Sequence, residues 1–222
     1  MLSEAVQDYL KAIYKLQEQG GVVSTSNLAE AMEVTAASVT GMIKKLASLK
    51  LVRHSPYRGV VLSRGGQKMA LEIIRHHRLL ELYLAEALGY SWDKVHEEAE
   101  RLEHVISEEF EEKIFEALGR PTRDPHGEPI PDKDGTVTAE TRELLSDMEP
   151  GDTGVIRQVT DSTAEMLRYL GKLGLVPSAP VKIVEKAPFD GPLTVRTGRI
   201  SHVLGRQLAG HIWVEALPNR AP

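Results

Sequence analysis

The chain contains no cysteine. Disulfides, thiolate zinc sites and iron–sulfur clusters are therefore excluded, and any bound metal has to be held by oxygen and imidazole nitrogen. Aromatic residues are few, at 5% of the 222 residues, and the 41% hydrophobic content suffices to bury a core in one large or two to three small domains. No apolar run approaches the roughly 20 residues of a membrane span, and the acidic start Met-Leu-Ser-Glu-Ala is not a signal peptide, so a cytosolic protein is expected. Positive charge is also short overall, with a net charge of -5. It is concentrated, however: between Val34 and Leu71 lie Lys44, Lys45, Lys50, Arg53, Arg58, Arg64 and Lys68 and no Asp or Glu. From Ser91 to Glu116 the balance reverses, with ten acidic residues against Lys94, Arg101 and Lys113. One segment suits a polyanion and another suits a cation.

Hydrophobic spacing predicts a first helix over 3–19, ended by Gly20-Gly21, a short second helix over 27–32 capped by Ser26, and a third over 36–49 capped by Thr35. The short connection between the second and third helices, followed by two β runs around Ser55-Pro56-Tyr57-Arg58-Gly59, reads as a winged helix-turn-helix over 1–72. A helix apolar on more than one face follows, with Ile73, Ile74, Leu79, Leu80, Leu82 and Leu84, and its excess apolar surface suggests a homodimer. The next helix is predicted over 91–118, giving a helical dimerisation and metal-binding domain over 73–140. A Pro-rich loop over 120–131 and a flexible linker to about 147 lead to short β runs at 154–159, 181–185, 193–196 and 212–216, with a helix at 164–173. Residues 148–222 thus read as a small SH3-like β-barrel. The fold class is mainly α with a small β part.

The chemistry centres on residues 96–104, His-Glu-Glu-Ala-Glu-Arg-Leu-Glu-His. Glu100, Glu103 and His104 stand at i, i+3 and i+4, which on a helix puts two carboxylates and an imidazole on one face. His77 and Glu81 are likewise four apart. If the first helix packs across the other two, Asp8, His77, Glu100, Glu103 and His104 converge on a site rich in oxygen that suits Mn²⁺ or Fe²⁺, with Zn²⁺, Co²⁺ or Cd²⁺ as surrogates. The plain alternative is a set of solvated helix faces.

Three segments carry a resemblance: Asp8-Tyr9-Leu10-Lys11-Ala12-Ile13-Tyr14, Arg75-His76-His77-Arg78-Leu79-Leu80-Glu81, and Val95 through His104. With Asp124-Pro125-His126-Gly127-Glu128-Pro129-Ile130-Pro131, they resemble the diphtheria-toxin-repressor family of metal-dependent regulators over roughly the first 135 residues. The C-terminal part is similar to that family's SH3-like, ferrous-transport-associated domain. The resemblance implies a repressor of metal-uptake genes that binds operator DNA as a homodimer. It implies Mn(II) as corepressor, with Fe(II) as the alternative, because iron-responding members carry Met at the position of Asp8 and Cys at that of Glu100. Lys11 stands where some two-domain manganese regulators have Glu, so their binuclear arrangement is not expected. A second site is implied at Glu81, Asp124, His126 and Asp161, with His96 as a further ligand and Glu165 as a rival to Asp161; Asp124 replaces the Cys of the relatives' Cys-Pro-His-Gly loop.

For DNA, Thr35, Ala37, Ser38, Thr40, Gly41 and Lys44 open the recognition helix, where base edges and phosphates are met, and Lys45, Arg53, Arg58 and Arg64 suit phosphate contacts. A hydrolase is disfavoured: His96-Glu97-Glu98-Ala99-Glu100 lacks the second His of His-Glu-x-x-His, and neither a Ser nucleophile elbow nor a phosphate-binding Gly loop is found. A metal-independent winged-helix DNA-binding protein, or a basic winged helix used for protein contact, stays open at this point.

Overall fold

The structure is a computed structural model that describes residues 2–55, 58–137, 141–160 and 163–217. It divides into two compact units, one of residues 1–77, 100–113 and 131–137, the other of residues 78–99, 114–130 and 138–222. The segment 73–140 is shared between them.

The first unit opens with α1 (Glu4–Gly20), α2 (Thr25–Ala31) and α3 (Ala36–Ser48), then the hairpin β1 (Val52–Ser55) and β2 (Gly59–Leu62). Gly21 closes α1 at φ 80°, returning its N–H to Gln17 O. The cap of α2 is Ser24, whose side chain accepts from Asn27 N at 3.0 Å, and the helix starts two residues before the expected Asn27. Three consecutive Ser/Thr residues made that start ambiguous. Thr35 caps α3 as expected, accepting from Ser38 N at 3.2 Å. Val6, Leu10, Ile13, Leu28, Val39, Ile43, Leu46, Val52 and Val60 form one buried cluster that holds these helices and the hairpin together. A Cβ on Gly66 would lie 2.0 Å from Leu51 O, so only glycine lets the next helix start this close to the hairpin.

That helix, α4 (Arg64–Glu86), begins about nine residues before the expected start and is continuous for 23 residues. The predicted helix over 91–118 is instead two helices, α5 (Val95–Leu102) and α6 (Glu108–Ala117). The β-branched pair Val105-Ile106 is a poor helix former, and Ser107 accepts from Phe110 N at 3.2 Å to start α6 afresh. Glu103 and His104 therefore sit in a turn just past α5, not on a regular helix.

In the second unit the C-terminal strands are β3 (Glu143–Leu144), β4 (Thr153–Val159), β5 (Pro180–Lys186), β6 (Leu193–Thr197), β7 (Ile200–Leu204) and β8 (Ile212–Leu217), with α7 (Ala164–Leu173) after β4 and α8 (Arg206–Ala209) before β8. They form one antiparallel sheet in the order β3-β8-β4-β5-β6-β7. The expected barrel is, in its hydrogen bonding among the described residues, an open six-stranded sheet: none of the pairings joins β3 to β7. Register shifts at Ile156/Gln158 and Ile183/Glu185 bend it around a core of Leu145, Met148, Ile156, Leu167, Leu170, Ile183, Val195 and Val214. The linker expected to reach 147 ends earlier, because Glu143 and Leu144 pair with Val214 and Trp213 and Leu145 is fully buried.

Candidate metal centre

In the first unit, α1 brings Asp8 and Lys11 to the turn after α5. Asp8 Oδ1 lies 2.9 Å from His104 Nε2, and His104 Nδ1 lies 2.8 Å from Gln7 Oε1. With Nδ1–H donated to Gln7, the ring presents its Nε2 lone pair to a carboxylate oxygen that is itself shielded from water and has no hydrogen bond. Either a proton on Nε2 or a cation beside the pair satisfies the two atoms at that distance. Asp8, Glu103 and His104 each place a ligand atom within 4.8 Å of the others. His77 Nδ1 is 2.5 Å from Glu103 Oε2 and 3.8 Å from Glu100 Oε1, so the five expected primary residues are linked in a chain of contacts through Glu103.

Lys11 is the part whose role the sequence did not reveal. It is buried, with Nζ 2.5 Å from Glu100 Oε1 and 2.6 Å from Glu103 Oε1. Burial disfavours its charge, but the charges and hydrogen bonds of Glu103 and Glu100 outweigh this and raise its pKa. Asp8 is pushed up by burial first and then by Glu100 and Glu103, against the pull of His104 and Lys11. Three carboxylates thus crowd one ammonium and two imidazoles, a donor set that fits a hard or borderline divalent ion.

The second unit carries another grouping. Glu81, Asp124 and His126 are all buried, with ligand atoms mutually within 4.8 Å. His126 Nε2 donates to the Trp92 carbonyl at 2.7 Å, leaving Nδ1 directed at Glu81 Oε2, 3.7 Å away. A backbone-anchored imidazole is the arrangement that orients a metal ligand. Asp124 Oδ1 accepts from the backbone of His126 at 2.9 Å and Glu128 at 2.8 Å, folding the Pro-rich loop into a tight turn. Gly127, at φ 85°, brings this loop so near β4 that a Cβ would lie 1.9 Å from Arg157 O. Burial, with Glu81 and Glu128, pushes Asp124 up to about 8; His126 is raised to about 9, its burial outweighed by Glu81 and Asp124. His96 Nδ1 is 3.2 Å from Glu81 Oε1, one contact with this grouping. Asp161 lies outside the described residues, and its rival Glu165 is exposed in the first turn of α7. Gln7 and Trp92 were not legible in the sequence: one contributes a side-chain amide and the other a backbone carbonyl, neither of which has a spacing signal.

On the winged unit, Thr35, Ala37, Ser38, Thr40, Gly41, Lys44, Lys45, Arg53, Arg58 and Arg64 are all exposed. Val39, Ile43 and Leu46 face the core from the same helix, so α3 is anchored on one side and offers small and basic side chains on the other.

Residues 1–60 match the family model of the iron-dependent repressor N-terminal DNA-binding domain, 63–132 that of the iron-dependent repressor metal-binding and dimerisation domain, and 144–216 the FeoA domain. The iron-dependent repressor IdeR of Mycobacterium leprae is 30% identical over 226 residues, spanning 96% of this chain and 98% of that protein. The chain belongs to the iron-dependent repressor family. IdeR of Mycobacterium tuberculosis is 31% identical over 229 residues, with 96% of this chain and 98% of that one covered. Among solved structures, a manganese-dependent transcriptional repressor in complex with manganese superposes with a TM-score of 0.89 at 39% identity, over 96% of this chain and all of that one. ScaR with bound Cd²⁺ superposes at 0.83 with 29% identity, over 96% and 99%. The chain is thus a metal-dependent DNA-binding repressor with a FeoA-type C-terminal domain, and not an enzyme. Among the described residues, no helix is long and apolar enough to cross a membrane.

Proposed function

We propose that this repressor is activated by Mn(II), held primarily by Asp8, His77, Glu100, Glu103 and His104, and that it silences metal-uptake genes in the cytoplasm as a DNA-bound homodimer. The observation that carries the reading is the convergence of Asp8, Glu103 and His104, one ligand atom of each within 4.8 Å of the others, with Asp8 Oδ1 2.9 Å from His104 Nε2. A divalent ion there supplies the positive charge that lets these acceptors share one locus. Asp8 belongs to α1, which packs in the same buried cluster as α3, so fixing Asp8 against Glu103 and His104 restrains the helix-turn-helix. The carboxylate and imidazole set, with no sulfur, accepts Mn²⁺, and the similar manganese-dependent repressor in complex with manganese favours that ion here. Fe(II) is the second reading, favoured by the iron-dependent names of the relatives that match over the whole chain. Glu81, Asp124, His126 and His96, with Asp161, form the second site in this reading, and Thr35 through Lys45 with Arg53, Arg58 and Arg64 form the DNA face.

Calorimetric titration of the full chain with Mn²⁺ tests the site. Asp8→Ala should lose the tightest binding event while remaining folded, and Asp8→Met with Glu100→Cys should shift preference toward Fe²⁺ under anaerobic conditions. Unchanged tight binding in Asp8→Ala contradicts the ligand assignment, and unchanged selectivity in the double variant contradicts the choice of manganese.

A further inference from the structure

A third set of ligand-type side chains lies in the first unit, apart from the primary ligands. Glu72 and His76 are one turn apart on α4, and Glu108 is the first residue of α6. One ligand atom from each falls within 4.8 Å of the others.

His76 is the built part of this cluster. Its side chain is 90% buried, and its Nδ1 lies 3.3 Å from the backbone carbonyl of Glu103, to which it donates. That leaves Nε2 as the lone-pair atom of the neutral ring. Nε2 is shielded from solvent, and its contact with Glu111 is poorly aligned for a hydrogen bond. The groups around it are themselves acceptors: Glu111 Oε2 at 3.2 Å and Glu108 Oε1 at 3.8 Å. Glu72 is held above the usual carboxylate range by burial first and then by the carboxylate of Glu108 beside it. The basic groups facing the cluster are Lys68, Arg75 and Lys133. Two of these are engaged elsewhere, Arg75 with Glu111 at 2.6 Å and with Pro131 O at 2.7 Å, and Lys133 with Glu112 at 2.5 Å.

We propose that Glu72, His76 and Glu108 form a third divalent-cation site, with Glu111 Oε2 as the nearest further oxygen. One imidazole and two carboxylates neutralise a doubly charged ion and supply the mixed nitrogen and oxygen set that Mn²⁺ and Zn²⁺ accept. The Nδ1–H to carbonyl bond is the anchoring that ligating imidazoles show. None of the primary ligand side chains takes part, so the two sites can be filled separately. The alternative that needs no ion is a protonated His76 paired with Glu111.

Metal content after equilibrium dialysis of the full chain against Mn²⁺, and separately Zn²⁺, decides between them. Glu72 and Glu108 are exposed, so the double variant Glu72→Gln, Glu108→Gln keeps the buried Arg75–Glu111 pair and folds. It should bind one ion fewer per chain than the parent with at least one of the two metals. The same loss should appear in a chain already carrying Asp8→Ala and His126→Ala, which separates this site from the two above: a failed primary assignment would show in Asp8→Ala alone. Metal content identical to the parent with both ions, in both backgrounds, overturns the proposal and leaves His76 as an ion-pair partner of Glu111.

Discussion

At the scale of single residues, Lys11 does most to set the electrostatics of the primary cluster. Its ammonium is bonded to Glu100 and Glu103, and Glu103 has no solvent access with which to replace it. Lys11→Met should therefore destabilise the metal-free chain, at the lower end of the roughly 3–5 kcal/mol that follows loss of one partner of a buried ion pair, because Glu100 still reaches water. The cost should shrink when Mn²⁺ is present, since a bound cation relieves the same repulsion. Thermal unfolding in chelator and in Mn²⁺ checks this; an equal loss in both would mean that Lys11 and metal act on different groups. Gly41 supports the opposite kind of prediction. A Cβ there meets nothing within 4 Å, so nothing inside the protein requires glycine. Gly41→Ala should leave the fold intact or stabilise α3 by up to about 1 kcal/mol, and should weaken DNA binding if the helix lies against the duplex. Undiminished affinity would move the DNA contact away from this turn.

At the scale of elements, helix periodicity showed where the ligands are and misjudged how they are held. The i, i+3, i+4 spacing of Glu100, Glu103 and His104 did bring them together, yet α5 stops at Leu102 and the last two project from a turn. A spacing of three and four survives one frayed turn, which is why the expectation of proximity held although the helix did not continue. Short strands are less legible: β3 has two residues inside the stretch expected as linker, and two residues carry no alternation to detect. β7, with Ile200 and Val203 exposed, has too weak an inward–outward contrast to mark it as a strand. Polar contacts between elements had no sequence signal at all. Asp93, just before α5, is bonded to Arg168 of α7 at 3.0 Å. Its burial works to raise the carboxyl, but bonds from Ser91 and Arg168 win and hold it below the usual range. A depressed folded-state value contributes stability above the unfolded value of about 3.8, lost as pH falls through the folded one. Asp93→Asn should accordingly be less stable near neutrality and show a shallower loss on acidification than the parent. Parallel acid-unfolding curves for the two would remove Asp93 from the account.

At the scale of the whole molecule, three matching family segments and one continuous match to full-length relatives put DNA binding, metal binding and the FeoA domain in a single chain. Composition anticipated this division, with an acid-free basic stretch from Val34 to Leu71 and an acidic excess from Ser91 to Glu116. What composition could not convey is the choice of ion, since carboxylate and imidazole accept several. The central claim is that metal at Asp8, His77, Glu100, Glu103 and His104 licenses DNA binding. The direct measurement is fluorescence anisotropy of a labelled duplex from the chain's own promoter region, titrated with full-length protein in chelator, in Mn²⁺ and, for Asp8→Ala, in Mn²⁺. The account predicts tight binding only for the parent in Mn²⁺, with Asp8→Ala resembling the parent in chelator. Equal affinity of the parent in chelator and in Mn²⁺, or full Mn²⁺-dependent affinity in Asp8→Ala, would contradict it.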